Sequence, residues 1–234
     1  MAVWVGIDLD GTLLDHPYWH LHLSPWLTRT ARRHGLDRTA LWQRLQAESR
    51  RRWRAGDWLG AMDWAAMAAG LGLHLPDPGR PPAGAVSRLV MPGADRLLLH
   101  WTARGLRLVL VSNGLWRNQR PYLEALGWLE VFAGVVTPDR TGVAKPDPRA
   151  FAAAGRPLAW HLGDQLYQDV LGARRAGVPA MQILHLVQDA PLDPLAPQRV
   201  APDLTVEDLE QARVLGLLLV ARAGAVRRLR VPCP

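Results

Sequence analysis

Two aspartates follow the first apolar segment of the chain and are its strongest candidates for chemistry. The run Val3–Ile7 is short, apolar and rich in β-branched residues, which is typical of a buried parallel strand. Asp8 and Asp10 come directly after it, and Gly11 follows. Ligands of α/β sheets bind at this end of the strands, and two carboxylates there need a cation, a proton or hydrogen-bond donors to offset their repulsion. An acidic strand end with a glycine turn is the structural alternative.

Polar side chains also end the second predicted strand, 106–111. Ser112 and Asn113 precede Gly114, and a hydroxyl and an amide at this place are able to donate hydrogen bonds to phosphate-like oxygens. Because Ser-Asn-Gly is also a common turn sequence, an ordinary turn is the simpler interpretation of these residues taken alone.

The chain contains one lysine, Lys145, among its 28 basic residues. An ammonium is a compact charge and a guanidinium is a broad planar one, so a lone lysine indicates a site that needs the smaller cation. Lys145 precedes Asp147 and Pro148, which are predicted to be the N-cap and the first residue of a helix. Its ammonium is expected to offset a phosphate and the strand-end carboxylates. A solvated loop lysine in an arginine-biased chain is the alternative.

Two more carboxylates follow the predicted strand 158–162. Asp164 comes directly after it, and Asp169 lies five residues later in the next predicted helix. Carboxylate oxygens grouped around a phosphate site suit Mg²⁺, and the sequence has neither a thiolate set nor a His pair at zinc spacing. A helix cap at Asp164 and a salt bridge at Asp169 are the structural alternatives. His161, inside the strand, is predicted to be packed rather than catalytic.

The elements that must position these groups alternate between helix and strand from residue 92 onward. This alternation predicts an α/β fold with a parallel sheet that is covered on both faces. Residues 16–90 are predicted to form helices and connectors instead, so we expect a helical insertion early in the α/β core. The predicted segments are helices 24–34, 37–54, 58–70 and 92–104, strand 106–111, helix 117–126, strand 131–136, helix 148–154, strand 158–162, helix 167–176, strand 180–186, a weaker strand near Leu204 and a closing helix from about Glu207. Asp37 is predicted to cap the second of these helices.

The composition is that of a soluble globular protein. Of the 234 residues, 49% are apolar and 21% are charged, and no apolar run approaches the roughly 18 residues that span a bilayer. Cys233 is the only cysteine, so an intrachain disulfide is excluded. The amino terminus lacks the pattern of a signal peptide, and a cytoplasmic location is the default expectation.

The net charge of +7 is concentrated in the predicted helical insertion. Residues 16–90 contain 11 arginines, 5 acidic residues and six of the eleven tryptophans. Such a surface would attract anionic substrates, and the run 50–54 combines arginine with tryptophan in a way that also suits nucleic acid. A solvated helix face with the tryptophans packed inside is the structural alternative, and nucleic acid is not the expected partner.

Taken together, the four clusters resemble the motifs of the haloacid dehalogenase-like (HAD) hydrolase superfamily. The matching pieces are Asp8-Leu9-Asp10-Gly11-Thr12-Leu13, Ser112-Asn113-Gly114, Lys145-Pro146-Asp147-Pro148 and Gly163-Asp164 through Asp169-Val170. The resemblance implies a three-layer, Rossmann-like core formed by residues 1–15 and 91–234, with a helical cap domain at 16–90. The loop 137–141 departs from the Ser and Glu that relatives often carry before the lysine, which puts only its loop contacts in doubt.

The resemblance also implies a role for each matching residue. Asp8 would be the nucleophile that forms an aspartyl-phosphate, and Asp10 would protonate the leaving oxygen and later activate water. Lys145 would balance the charge of the phosphoryl group. Mg²⁺ would be held by Asp8, Asp164 and the backbone carbonyl of Asp10, with Asp169 as an outer carboxylate that orients Lys145. The residues implied to bind the substrate are Gly11, Thr12, Ser112, Asn113 and Lys145.

Asp10 distinguishes between the chemistries that this superfamily carries. Members that displace halide from carbon lack a second aspartate here, because halide leaves without a proton. Its presence predicts a Mg²⁺-dependent phosphatase that acts on a small phosphorylated metabolite. A phosphomutase that returns the phosphoryl group to a sugar phosphate is the alternative enzyme, and a nucleic-acid-binding protein that uses the basic cap is the alternative from another class. The sequence does not predict an oligomeric state.

Overall fold

A sheet of six parallel strands is the centre of the computed structural model, which describes residues 2–82, 84–184 and 200–228, with side chains up to residue 219. The order across the sheet is β3-β2-β1-β4-β5-β6. The predicted α/β class with a parallel sheet is therefore confirmed. The strands are β1 (Val3–Ile7), β2 (Leu106–Val111), β3 (Phe132–Val136), β4 (Leu158–Gly163), β5 (Ala180–Ile183) and β6 (Leu204–Val206).

Helices precede and connect the strands. A π-helical segment, Trp19–Leu23, leads into the first helix, and a second one, Leu166–Leu171, follows β4. The α-helices of the described residues are α1 (Ser24–His34), α2 (Arg38–Arg54), α3 (Trp58–Met62), α4 (Trp64–Gly70), α5 (Ala94–Ala103), α6 (Trp116–Leu126), α7 (Pro138–Thr141), α8 (Pro148–Ala152), α9 (Gly172–Arg175) and α10 (Leu209–Arg228).

The strand order reverses at β1, which is one of the two central strands of the sheet. From β1 the chain adds β2 and β3 on one side, and it then crosses to β4 on the other side. The carboxyl end of β1 is therefore the topological switch point, where open α/β sheets bind their ligands. Asp8 lies there, and its backbone N–H donates to the carbonyl oxygen of Leu162 in β4 at 2.9 Å.

Apolar layers cover both faces of the sheet. Val5 and Ile7 of β1 are fully buried in a large cluster that also contains Trp101 of α5 and Trp160 of β4, whose rings pack edge to face at 5.9 Å. Val109 of β2 belongs to a second cluster, on helices α8 and α9. Burial on both faces explains why these strands are nearly continuous apolar runs.

The helices inserted between β1 and β2 pack around an apolar core of their own, separate from the core of the sheet. We call these helices the cap. The fully or nearly fully buried members of its core come from the π-helical segment Trp19–Leu23, from α1, α2 and α4 and from the following connector, and they are Leu23, Trp26, Leu27, Leu41, Leu45, Met67, Ala68 and Leu75. In α2, Asp37 acts as the predicted N-cap by accepting a hydrogen bond from the N–H of Ala40 at 2.7 Å.

Both ends of this insertion are fixed to the core side by side. The backbone N–H of Asp15 donates to the carbonyl of Leu89 at 2.7 Å, and that of Met91 donates to Leu13 at 2.9 Å. Leu13 and Met91 belong to the main core cluster. These contacts lie close to the predicted domain limits at residues 15 and 91, and the limits themselves stay a prediction.

The structure differs from the sequence prediction in several helical details. The predicted helix 167–176 begins as the π-helical segment Leu166–Leu171 and continues as α9. The prediction of one continuous helix over 58–70 is wrong. Asp63 leaves helical geometry and caps α4 by accepting a hydrogen bond from the N–H of Ala66. The loop before Lys145 contains the short helix α7, which begins with a proline. The predicted strand residues 185 and 186, the lone Cys233 and the end of the predicted core domain lie outside the described residues.

The arginine-rich run 50–54 forms the last turn of α2. Arg51 and Arg52 both pair with Glu48, at 2.7 Å each, and basic side chains in a last turn also interact favourably with the helix dipole. Trp53 is only 8% exposed and packs edge to face on Trp58, so Trp53 offers no free face to a nucleic-acid base. Among the helices of the described segments, none is both long and apolar enough to cross a membrane.

Candidate active site

Asp8 is the centre of a buried polar cluster at the switch point. It is 5% exposed, and its Oδ1 accepts a hydrogen bond from Nζ of Lys145 at 2.6 Å. The hydroxyl of Thr12 donates to its Oδ2 at 3.4 Å. Thr12 itself is fully buried, so its hydroxyl is placed to orient the carboxylate of Asp8.

The turn after Asp10 brings the first motif against the fourth. Gly11 has φ +88°, a conformation that favours glycine, and a Cβ added to it would lie 2.5 Å from Oδ2 of Asp164. Backbone N–H groups of Leu13 and Leu14 donate to the carbonyl of Leu9 and close this turn. The glycine is therefore needed both for the turn and for the approach of the Asp164 carboxylate.

Lys145 is buried between two carboxylates. Its Nζ lies 2.6 Å from Oδ1 of Asp8 and 2.6 Å from Oδ1 of Asp169, and the residue is 1% exposed. Burial opposes the charged ammonium, but Asp169 and Asp8 together hold the pKa of Lys145 well above its ordinary value. The alternative of a solvated loop lysine is thus wrong.

Asn113 holds the backbone of Lys145 in place. The side-chain amide of Asn113 donates to the carbonyl of Lys145 at 2.8 Å, and the backbone N–H of Lys145 donates back to Oδ1 of Asn113 at 2.8 Å. This pair of bonds mimics a strand pairing and fixes the loop against the end of β2. Asn113 also lines the cavity described below.

Asp169 is the most completely satisfied carboxylate of the cluster. Its Oδ1 contacts both Lys145 and Nε2 of His161, the latter at 2.8 Å, and its Oδ2 accepts from the backbone N–H of Gln165 at 3.0 Å. Although burial raises it, Lys145 and His161 lower the pKa of Asp169 to about 2. His161 is fully buried and packs on Phe151, in agreement with the packed role that the sequence predicted.

Asp8, Asp164 and Asp169 form a group of three carboxylates whose negative charge is only partly balanced by neighbouring cations. One oxygen of each lies within 4.8 Å of those of the other two, and Lys145 is the cation that contacts this group. Burial, followed by the neighbouring carboxylates, raises the pKa of Asp164 well above its ordinary value. Burial and the charge of Asp169 likewise raise the pKa of Asp8 to about 7, against the lowering effect of Lys145. A further cation would stabilise the ionised form of these carboxylates.

The oxygens of this group fit a magnesium ion. Oδ1 of Asp164 is buried and has no hydrogen-bond partner among the described residues, and Oδ2 of Asp8 has only the long contact from Thr12. Both oxygens of Asp169, in contrast, are occupied by protein donors. Mg²⁺ prefers carboxylate oxygens and keeps several waters. The available ligands are therefore the carboxylates of Asp8 and Asp164.

Asp10 lies in a separate set of contacts, together with a glutamine that the sequence analysis missed. Nε2 of Gln119 donates to Oδ2 of Asp10 and to Oγ of Ser112, at 2.8 Å each. Oδ1 of Asp10 is buried and has no partner among the described residues, and burial raises the pKa of Asp10. A Cβ on Gly114 would lie 2.1 Å from the same Nε2. In the sequence, the feature that could have indicated Gln119 is its place among the polar residues in the first turns of α6, directly after the end of β2.

A cavity of about 280 Å³ opens on these groups. Of the residues predicted to form the site, Asp8, Asp10, Ser112 and Asn113 line it. Gly11, Thr12, Lys145, Asp164 and Asp169 are grouped behind or beside Asp8 instead. No role in the site was predicted for the other lining residues, which are His16, Tyr18, Trp19, Leu23, Trp42, Met62, Trp64, Gly114, Leu115, Asn118, Gln119, Gln165 and Gln168.

Magnesium should stabilise the fold more at pH 8 than at pH 6. Asp8 and Asp164 have raised pKa values in the folded chain, so their contribution to stability is fully present below pH about 4 and is lost as the pH rises through the folded values. Bound Mg²⁺ would replace the lost protons. We expect the gain in Tm on adding Mg²⁺ to be larger at pH 8 by roughly 2–4 °C, which corresponds to about 1 kcal/mol.

Thermal unfolding with Mg²⁺ and with EDTA at both pH values measures this gain, and Asp164→Asn serves as the control variant. The variant should lose most of the gain. A gain that is equal at the two pH values, or larger at pH 6, would contradict the assignment of these carboxylates as the ligands.

Comparison with known proteins agrees with this geometry. The family model described as haloacid dehalogenase-like hydrolase matches residues 4–177. A phosphoserine phosphatase of Thermus thermophilus is 37% identical over 127 residues, which are 51% of this chain and 48% of that protein. The chain thus spans about half the length of this relative.

Solved structures resemble nearly the whole chain. A HAD phosphatase from Thermococcus onnurineus superposes with a TM-score of 0.66 and 25% identity, covering 92% of this chain and 97% of that one. An L-2-haloacid dehalogenase from Xanthobacter autotrophicus gives a TM-score of 0.62 at 20% identity, covering 93% and 99%, and this likeness concerns the fold alone. On the match of the family model to residues 4–177, the chain belongs to the haloacid dehalogenase-like hydrolase family.

Proposed function

We propose that this protein is a Mg²⁺-dependent phosphatase that releases inorganic phosphate from a small phosphorylated molecule through an aspartyl-phosphate on Asp8. The observation that carries the proposal is the separation of two aspartates, two residues apart, into different environments. Asp8 contacts the ammonium of Lys145, whereas Asp10 is held by the neutral amide of Gln119 and has a buried oxygen without a partner among the described residues. One carboxylate is thus equipped to attack and the other to hold a proton.

In the first half-reaction a carboxylate oxygen of Asp8 attacks phosphorus. The bond from phosphorus to the ester oxygen breaks, and that oxygen takes a proton from the carboxyl group of Asp10 and leaves as an alcohol. The ammonium of Lys145, at 2.6 Å from Asp8, reduces the repulsion between the nucleophile and the phosphate anion. Ser112 and Asn113 line the cavity beside Asp8. The hydroxyl of Ser112, which accepts from Gln119, is placed to donate to a phosphoryl oxygen. The side-chain amide of Asn113 already donates to Lys145 and Gln168, so Asn113 acts on the phosphate through its hold on Lys145.

In the second half-reaction Asp10, now a carboxylate, takes a proton from a water molecule. The hydroxide attacks phosphorus, the acyl-phosphate bond breaks and the carboxylate of Asp8 is restored, so that inorganic phosphate is released. The hydrogen bond from Gln119 orients the carboxyl group of Asp10, which lines the cavity and carries out both proton transfers. Asp8 and Asp164 would hold Mg²⁺, with the backbone carbonyl of Asp10 as a further ligand. The ion, when bound, supplies positive charge that stabilises the phosphoryl oxygens in the transition state.

Asp10 also favours phosphoryl transfer over halide displacement. A departing alcohol needs a proton, whereas a departing halide does not, and Asp10 lines the cavity next to Asp8. The likeness to a haloacid dehalogenase concerns the fold alone and does not alter this inference.

A panel of small phosphate monoesters, assayed for phosphate release with Mg²⁺ and with EDTA, tests the proposed function. Release that depends on Mg²⁺ is the expected result. No release from any member, or release that is insensitive to EDTA, would overturn the proposal. Faster transfer of the phosphoryl group to an added sugar phosphate than to water would identify a phosphomutase instead.

Replacing Gln119 by leucine should lower kcat by about 10–100-fold while leaving the fold intact. The variant removes the donor that fixes Oδ2 of Asp10 and Oγ of Ser112, and a misplaced acid costs roughly this much in general acid catalysis. Because Asp10 acts as acid and base, the pH profile of kcat should shift together with the loss. Steady-state kinetics between pH 5 and 9 provides the measurement.

Gln211→Leu, a change of the same type on α10 and outside the cavity, is the matched control and should keep wild-type kinetics. An unchanged kcat and pH profile in Gln119→Leu would show that Asp10 does not depend on Gln119.

A further inference from the structure

The active-site cavity has two chemically different sides. Its core side is formed by the polar groups that handle the phosphoryl group, among them Asp8, Asp10 and Ser112. Its cap side is apolar and mostly aromatic. If the phosphoryl group is held on the core side, the group esterified to it must meet the cap side. The cap-side residues are Tyr18, Trp19, Leu23, Trp42, Met62 and Trp64.

Three indole rings form a continuous wall on the cap side. The ring of Trp42 lies 4.8 Å from that of Trp19 and 5.1 Å from that of Trp64, with interplanar angles of 45° and 39°. The three residues pack against the cap core and are only partly buried. Their remaining surface lines the cavity, which offers a ligand large, rigid apolar faces that lose little entropy on binding.

The cap side offers no cationic side chain to a charged leaving group. No arginine or lysine lines the cavity among the residues that the structure describes, and His16 is the only basic side chain there. The ring of His16 is directed to Asp15, with Nδ1 3.3 Å from the carboxylate oxygen. Lys145 is already held between Asp8 and Asp169. A second anionic group on the substrate would therefore lose its hydration without gaining a lysine or arginine as its partner in the cavity.

Several arginines close to the cap in sequence or space are engaged in ion pairs. Arg117 pairs with Asp63 at 2.7 Å, across the boundary between cap and core. Arg51 and Arg52 of the cap pair with Glu48. The arginines that give the cap its positive charge thus act at its surface and do not provide the selectivity of the cavity.

On the basis of the proposed phosphatase function, we propose that the substrate is a phosphate monoester whose leaving group is uncharged and carries an aromatic ring. The ring packs on the Trp19–Trp42–Trp64 wall while the phosphoryl group lies over Asp8. Esters with a carboxylate on the leaving group are disfavoured, because no arginine or lysine of the described residues lines the cavity to receive it. The cavity, about 280 Å³, is at the lower end of small-molecule sites, which favours a single ring system.

Three phosphate esters with alcohol leaving groups test the proposal. Benzyl phosphate carries an uncharged ring, ethyl phosphate is uncharged without a ring, and phosphoglycolate carries a carboxylate. With Mg²⁺, kcat/KM for benzyl phosphate should exceed that for each of the other two by about tenfold or more. Turnover of phosphoglycolate or ethyl phosphate as fast as that of benzyl phosphate would overturn the proposed substrate class and leave the phosphatase function standing.

Binding of non-hydrolysable analogues tests the proposed substrate class even if the proposed phosphatase function fails. Isothermal titration of the Mg²⁺-loaded protein with benzylphosphonate, ethylphosphonate and phosphonoacetate should rank benzylphosphonate first, by about tenfold in Kd. Tight binding of benzylphosphonate without turnover of any ester would refute the phosphatase function but support the ligand class. Preferential binding of phosphonoacetate would refute the ligand class, whatever the turnover.

Trp42→Ala should reduce the preference for benzyl over ethyl phosphate toward unity, because it removes the central ring of the wall. Trp42→Phe should retain most of the preference, since it keeps an aromatic face. Trp58→Ala, which truncates a cap tryptophan outside the cavity, should keep the wild-type preference. Equal losses for both esters in Trp42→Ala would assign this ring to the cap fold and refute its contact with the substrate.

Discussion

Replacing Asp8 by asparagine should abolish phosphate release, with a loss in kcat on the order of 10⁴-fold or more, because the amide cannot form the acyl phosphate. The fold should survive the change. Burial already raises the pKa of Asp8 to about 7, so a neutral group of the same shape suits the position, and Lys145 keeps its contact with Asp169. We expect a Tm within roughly 4 °C of the wild-type value.

The measurement combines a phosphate-release assay with thermal unfolding. Asp37→Asn is the matched control: it makes the same chemical change at the N-cap of α2, where Asn caps as well as Asp, and it should keep full activity. If Asp8→Asn retained wild-type activity with an unchanged fold, Asp8 would not be the nucleophile. A variant at Asp10 would then be the next to examine.

Replacing Lys145 by methionine should cost the metal-free protein about 3–5 kcal/mol of unfolding free energy at pH 8, since it leaves buried carboxylates without their cation. Asp8 and Asp169 each lie 2.6 Å from Nζ. Activity should fall by about 10³-fold or more, because the same ammonium reduces the repulsion between nucleophile and phosphate. Denaturant unfolding in EDTA and the phosphate-release assay measure the two effects.

The stability loss should have a specific pH dependence. In the wild type the pKa of Asp169 is lowered to about 2, so its contribution is present above pH about 4 and disappears only as the pH falls through the folded value. In Lys145→Met, Asp169 loses its cation and its pKa should rise. Lowering the pH from 8 to 5.5 should therefore recover part of the variant's stability relative to the wild type.

A double variant separates the electrostatic effect from a packing defect. In Lys145→Met combined with Asp169→Asn, one of the unpaired buried charges is gone, so stability at pH 8 should recover by about 1–2 kcal/mol while activity stays lost. A double variant no more stable than the single one would show that the methionine side chain fails to pack. An unchanged unfolding free energy in the single variant would contradict the buried ion pairs.

The fold could be predicted from the sequence because its elements are locally encoded. Val3–Ile7 and Leu106–Val111 are apolar enough to require burial on both faces of a parallel sheet, and Asp37 and Asp147 cap helices α2 and α8 as predicted. The break at Asp63 could not be predicted in the same way. Its side chain both caps α4 and binds Arg117 of α6, so a contact distant in sequence accompanies the interruption of a locally favourable helix.

The candidate site was predictable as far as its residues follow strand ends. Asp8, Ser112 and Asp164 were expected to meet, because the carboxyl ends of parallel strands share one edge of the sheet, and the structure brings them there. The partners supplied from helices were not predictable. Gln119 carries no distinctive motif, and only the packing of α6 over the strand ends brings its amide to both Asp10 and Ser112.

By itself, the sequence determined the acids, the lone lysine and the strands that carry them, because residue type and apolar periodicity are local properties of the chain. The tertiary structure decided which of those charged groups lie in contact and which carboxylate oxygens have no hydrogen-bond donor among the described residues. It also decided what faces them. The cap arginines, prominent in the composition, lie outside the cavity, whereas the indoles of Trp19, Trp42 and Trp64 line it. Which face of a helix meets an active site depends on how separate elements pack. That packing is determined by contacts between segments distant in sequence, so no single segment predicts it.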